Sequence, residues 1–222
     1  MVCRVSPFRA LVGGLVAGAV GALVQSLFFR ATSRLAPPQP EGVFTPPEDE
    51  QKNETPTATV ARRLVRHGLQ RELSEEGKMR GARYVHYASG AAWGGLYGIV
   101  RESFPVLAGP LGMLGYSTLV FVASDLVILP AFRLSAGARA YPLQNHAYGL
   151  AAHVAYGAGL WGAYEAGQRI PWSAAFELAA WRSLAAWGAT IGKALRQPGK
   201  TLKPAVRAVR KPIARAIHQV HG

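Results

Sequence analysis

Apolar positions in this chain come in long runs rather than in alternation, and each run has the length of a helix that crosses a bilayer. The first, Ala10 to Phe29, follows Arg4 and Arg9 and stops at Arg30. About twenty apolar residues cover a hydrocarbon core of about 30 Å. A signal peptide would have a shorter core and a small-x-small cleavage site after it. No convincing site follows here, so residues 1–34 are expected to hold an uncleaved helix. The second run, Tyr84 to Phe104, sits between Arg83 and Pro105. The third lies between Leu107 and Phe132, with Gly109 and Pro110 at its start and Pro130 near its end. The fourth, His146 to Tyr164, closes with Glu165 and Arg169. Connections within residues 83–168 are short, which predicts antiparallel neighbours.

The intervening segments read differently. Residues 35–58 carry Pro37, Pro38, Pro40, Pro46 and Pro47 and then Glu48, Asp49 and Glu50, a linker composition. From Thr59, a candidate cap, a helical pattern runs to Glu76, and the segment 59–82 is assigned to a basic amphipathic helix. Val60, Leu64, Leu69 and Leu73 lie near one face, and Arg62, Arg63, Arg66 and Arg71 ride on the others. It suits a membrane surface or a solvated helix packed on its neighbours equally well. Residues 169–196 are apolar on one side, through Phe176, Trp187 and Ile191, but include Glu177, Arg182 and Lys193, as an interfacial helix does. Residues 197–222 hold Lys200, Lys203, Arg207, Arg210, Lys211 and Arg215 with no acid, a polybasic tail suited to anionic lipid.

Composition agrees with the runs. Charged residues are 17% of the chain, against about 25% in soluble proteins, and they are segregated, as a bilayer demands. The formal net charge of +13 fits a nucleic-acid protein or a membrane protein. The long apolar runs decide for the membrane, and the tail lacks the aromatic side chains that stack on bases. Cys3 is the one cysteine, so no intrachain disulfide forms. Walker A, G-x-S-x-G, H-E-x-x-H and CxxC motifs are missing from the sequence, and no enzyme activity or cofactor is assigned. The positive-inside count does not settle orientation, and the basic tail tips it towards both termini in the cytoplasm.

Two features carry the candidate chemistry. Gly14 and Gly18 in the first run, and Gly90, Gly94 and Gly98 in the second, recur every four residues. Such stripes let helix backbones approach closely in lipid, within one chain or with a like or unlike partner. The ionisable residues inside the runs are His86, Asp125, His146 and His153. With a rise of about 1.5 Å per residue, all four fall in one half of the bilayer. Tyr87, Tyr148 and Tyr156 are near enough in sequence to add hydroxyls. A carboxylate with imidazoles can relay protons, histidines with an aspartate can hold a metal, and two histidines can hold a haem. A structural hydrogen bond across the bundle is the plainer alternative. Arg101, Glu102, Glu165 and Arg169 fall at the opposite surface, where an interfacial ion-pair group is expected.

The segments GGLVAGAVGALVQ, HYASGAAWGGLYG (His86 to Gly98), ASDLVILPAFRLS (Ala123 to Ser135) and HAYGLAAHVAYG (His146 to Gly157) resemble the YagU-like family of bacterial inner-membrane proteins, defined by a domain of unknown function (DUF1440). The resemblance implies a multi-pass inner-membrane protein and directs attention to His86, Asp125, His146 and His153. In relatives an acid often follows the aspartate; here Leu126 stands there. The expectation is an all-α bundle of about four transmembrane helices with amphipathic surface helices. Its function is expected to be proton or ion handling, or envelope acid-stress tolerance, through the His/Asp cluster. The alternative is a membrane scaffold that packs through its glycine stripes and binds lipid through its tail.

Overall fold

A computed structural model of the chain describes residues 6–38 and 54–169, together with helical Arg182, Ser183, Ala185, Ala186 and Ala189. Most of the 35–58 linker, nearly all of the 169–196 helix and the whole basic tail (Lys200, Lys203, Arg207, Arg210, Lys211, Arg215) lie outside the described residues. Within them the fold is all-helical, with five helices and no strand: Pro7–Ala31 (α1), Pro56–Leu69 (α2), Glu75–Ser103 (α3), Pro110–Ala131 (α4) and Leu143–Gln168 (α5). Two of these, α1 and α4, are long and apolar enough to cross a membrane.

The helix ends follow from local chemistry. Ser6 Oγ accepts from Arg9 N at 3.2 Å and Pro7 opens α1. At the other end Thr32 Oγ1 donates to Phe28 O at 2.7 Å. Pro105 and Pro110 bracket the turn between α3 and α4, and Pro142 precedes α5. The single helix expected over 59–82 is instead two. α2 begins at Pro56, with Thr55, not Thr59, as the side-chain cap (Ala58 N to Thr55 Oγ1, 3.4 Å). It ends at Leu69, Gln70 turns left-handed (φ 52°), and α3 starts afresh at Glu75. Ser74 Oγ accepts from Gly77 N at 3.2 Å, and Glu75 and Glu76 favour the positive end of the new helix.

The chain divides into two units. One comprises Met1–Arg62 and Ser74–Ile170 and holds α1, α3, α4, α5 and the first half of α2. The other comprises Arg63–Leu73 and Pro171–Gly222, and its described part is the second half of α2 with the segment after it and the helical residues Arg182, Ser183, Ala185, Ala186 and Ala189.

In the first unit the four long helices run alternately up and down. α1 and α3 are antiparallel and cross at their glycines. A methyl group at Gly14 or Gly18 would overlap the carbonyls of Gly94 or Gly90, and one at Gly94 or Gly98 would overlap those of Gly14 or Ala10. Gly90 lies against Ala22. α5 runs antiparallel to α1, with Gly21 against Tyr156 and Gly13 against Tyr164, and parallel to α3. α4 lies antiparallel to α5, with Ser117 seated against Gly157. The interior is therefore lined by Gly, Ala and Tyr. The large aliphatic residues Val16 (62% exposed), Val20, Leu23 and Leu27 of α1, and Leu111 (83% exposed), Leu114, Leu119 and Val122 of α4, point outward.

The five striped glycines are consumed by a contact inside the chain. Gly94→Ala is therefore expected to lower stability by about 1–3 kcal/mol, the usual cost of forcing extra atoms into a packed interface, and Gly94→Leu to abolish folding. Gly162→Ala in α5, where nothing lies within 4 Å, leaves stability unchanged or raises it. Thermal unfolding in detergent, followed by helical circular dichroism, makes the comparison.

Candidate functional site

α4 is not a uniform helix. Between Val122 and Ile128 it winds as a π-helix, with Leu129 N bonding Ser124 O five residues back. The cause lies in Pro130, which has no N–H to give the carbonyl four residues before it and whose ring crowds that carbonyl. Wide turns relieve the conflict, and such turns recur at functional positions in helices. Asp125 sits in the middle of this segment. It shares a face with Phe121, and both meet α5 at Gly149, where a side chain would run into the Phe121 ring and approach Asp125 Oδ2.

One turn further along α5, His153 Nε2 lies 3.8 Å from Asp125 Oδ1. The imidazole's other nitrogen, Nδ1, is 2.9 Å from Gly149 O. A backbone carbonyl only accepts, so Nδ1 carries a hydrogen and donates it. The Nε2 edge is thereby left to face the carboxylate. In the ion-paired state that edge holds one proton on Nε2. A second proton neutralises the carboxylate, and loss of the first sets a lone pair against a negative oxygen. The Phe121 ring packs on His153 (centroids 5.5 Å apart). The imidazole side chain is 13% exposed and the carboxylate side chain 33%.

The other two histidines are held elsewhere. His86 Nε2 donates to Ala22 O (3.1 Å) and Ser26 Oγ (3.2 Å), joining α3 to α1, while the Ser26 hydroxyl donates to Ala22 O. His146 Nε2 donates to Ala138 O at 2.8 Å and pins the α4–α5 loop to the first turn of α5. Of the four residues singled out in sequence, the fold brings Asp125 and His153 into contact. His146 lies nearby as a second positive neighbour of Asp125 when protonated, and His86 serves the α1–α3 contact. Among the described residues no three His, Cys, Asp or Glu side chains come together to hold a metal ion.

Sequence reasoning named Tyr156 as a hydroxyl beside the cluster, not as a bond between helices, and missed Tyr116, Tyr97 and Tyr164. Tyr156 donates to Gly90 O (2.7 Å), Tyr116 to Trp93 O (2.6 Å), Tyr97 to Leu107 O (3.2 Å), and Tyr164 to Glu102 Oε1 (3.1 Å). Each crosses between segments. The bare carbonyl of Gly90 is reachable because no side chain shields it. The only advance signal was their number on apolar helices, since a buried phenol must find a partner. At the end of the bundle away from Asp125, Arg101 binds Glu165 (2.6 Å) and Glu102 (2.7 Å) and stacks over Tyr164, and Arg9 Nη2 donates to Gln168 O (2.9 Å).

A second charged group, also missed, lies at the start of α3. Glu54 accepts from Arg62 Nε (3.1 Å) and Thr59 Oγ1 (3.0 Å), and Lys78 Nζ stands 3.7 Å from it and 2.8 Å from Glu75. All three of Glu54, Arg62 and Lys78 are buried. This cluster fastens the start of α2 to α3, and no spacing in the sequence announces it.

Replacing Tyr156 by Phe removes one buried cross-helix hydrogen bond and keeps the ring. The expected loss is about 1 kcal/mol, read as a lower midpoint of thermal unfolding, with no change in any property that depends on Asp125. No family model, curated protein or solved structure matches the chain.

Proposed function

We propose that this is a multi-pass membrane protein in which the Asp125–His153 pair takes up and releases a proton. The bilayer part of the reading is supported by the direction in which side chains face. Small residues and tyrosines fill the interior, and large aliphatic side chains of α1 and α4 cover the outside. That is the reverse of a soluble core and the arrangement lipid favours. α1 packs against α3 and α5 at residues spread along it, from Arg9 to Thr32, which suits a resident helix rather than a detachable leader. On this reading α1, α3, α4 and α5 are the four spans. The resemblance of the three polar segments to the YagU-like family extends the proposal to the bacterial inner membrane.

The proton part rests on one observation: His153 has its Nδ1 hydrogen committed to Gly149 O while its Nε2 faces Asp125 Oδ1 at 3.8 Å. A purely structural pair would form a short hydrogen bond with every lone pair and hydrogen matched. This one is held at ion-pair distance, with a carboxylate that is partly exposed. A hard cation is a poorer occupant, since it requires about six oxygen ligands. Acid-stress tolerance is the physiological setting that such a group serves. The scaffold reading is weaker, because the glycine stripes that would have met a partner are occupied by α1 and α3 themselves.

Infrared difference spectra between alkaline and acid buffer test the reading. The chain has two aspartates, Asp49 and Asp125, so isotope-labelled aspartate gives two reporters. A protonated-carboxyl band that moves with pH in the wild type, disappears in Asp125→Asn and shifts its midpoint in His153→Gln is expected. A labelled spectrum identical in wild type and Asp125→Asn would end the proposal.

A further inference from the structure

The pair lies near one end of the bundle, and what separates it from the other end has a definite character. Asp125 is six residues before the end of α4, about 9 Å along the helix. In the opposite direction the next ionisable group on α5 beyond the tyrosines is Glu165, twelve residues from His153 and about 18 Å along the helix axis. The interval is filled by Ser117, Tyr116, Tyr156, Leu160, Tyr97 and Tyr164, all of them buried, with Val120 against them.

Four of the hydroxyls in that interval end on backbone carbonyls. Ser117 donates to Met113 O, Tyr116 to Trp93 O, Tyr156 to Gly90 O and Tyr97 to Leu107 O. A relay needs each member to pass its hydrogen to a group that can pass another on. A carbonyl oxygen accepts and has no hydrogen to hand forward. Those four hydroxyls are closed ends, the fifth, Tyr164, donates to Glu102 at the far end, and among the described residues the polar side chains along the bundle do not add up to a wire. Among the described residues, the charged or titratable side chains that act on Asp125 are His153 and His146, both from α5. The carboxylate in turn faces His153, with the Phe121 ring beside it. Toward its own end lie the partly exposed side of the Asp125 carboxylate and the loop held by His146. Toward the other it meets the tyrosine layer.

Resting on the proton-binding reading, we infer that the Asp125–His153 pair exchanges its proton with one side of the membrane only, so that the protein registers acidity on that side and does not conduct protons across. The tyrosine layer is the barrier. The element placed to respond is the π-helical segment of α4, because the charge that changes is carried at its centre.

The test uses the full chain in liposomes with a trapped pH dye, an imposed pH difference and the membrane potential clamped by a potassium ionophore. Proton entry is expected at the rate of protein-free vesicles. In vesicles holding the protein in one orientation, the Asp125 carboxyl band is expected to follow acid added on one side and to ignore acid on the other. Entry several-fold above protein-free vesicles and lost in Asp125→Asn or His153→Gln overturns the one-sided inference and leaves the proton-binding reading standing. A band that follows acid from both faces does the same. Absence of any Asp125-dependent band overturns the underlying reading instead. The comparison with protein-free vesicles needs no variant to fold.

Discussion

The contact on which the rest of this structure depends is the backbone-to-backbone crossing of α1 and α3. It has almost no side chains in it. Gly14 and Gly18 meet Gly90 and Gly94, and Ala10 meets Gly98. Close packing at this depth brings main-chain atoms of two helices within dispersion range over several turns, which large side chains would prevent. Its consequences spread outward. The crossing places His86 over the Ala22 carbonyl and Ser26, and it leaves the Gly90 carbonyl bare for Tyr156. It also forms the surface against which α5 lies. α4 is the outermost of the four and is held by α5, the α3–α4 turn and tyrosines.

Dry interiors constrain polar groups more than wet ones. An unpartnered phenol or imidazole in such a place costs as much as a lost hydrogen bond or more. The structure answers mainly with backbone carbonyls, which are present at every turn and already oriented. This explains why so many long-range hydrogen bonds here run from a side chain to the main chain. Among the described residues the arginine and lysine ion pairs include Arg101 with Glu165 and Glu102 at one end and the Glu54 group at the start of α3, while Asp125 faces His153.

Much of this could be read in the sequence, and the failures have physical causes. Apolar runs located α1, α3, α4 and α5, and the four-residue spacing of the glycines marked the faces of α1 and α3 that meet. The division between α2 and α3 was also written there, in Gly68 and in Ser74 followed by Glu75 and Glu76, a helix start that the continuing apolar period masked. Depth could be counted from helix rise, but direction around the axis could not. His86, His146 and His153 were grouped because they fall in the same half of the bilayer when depth is counted along the helices. Which of them meets Asp125 depends on how α3, α4 and α5 are rotated, a tertiary property. The Glu54–Arg62–Lys78 cluster joins the residue before α2, α2 itself and the start of α3 across the break between the two helices, and no spacing announced it.

The rotation of α4 shows how a single residue settles such a question. An α-helix turns about 100° per residue, so widening one turn by a residue swings everything beyond it by about that angle. Pro130 supplies the reason for the widening, since it withdraws one donor and crowds one carbonyl. The π turns from Val122 to Ile128 set the angle at which Asp125 leaves α4, and Gly149 supplies the space it enters. A uniform α-helix through the same positions would turn the segment beyond Phe121 to a different bearing against α5. The encounter of carboxylate and imidazole is thus a consequence of a proline one and a half turns away and a glycine on the facing helix. Neither of them belongs to the chemistry, and both are required for it.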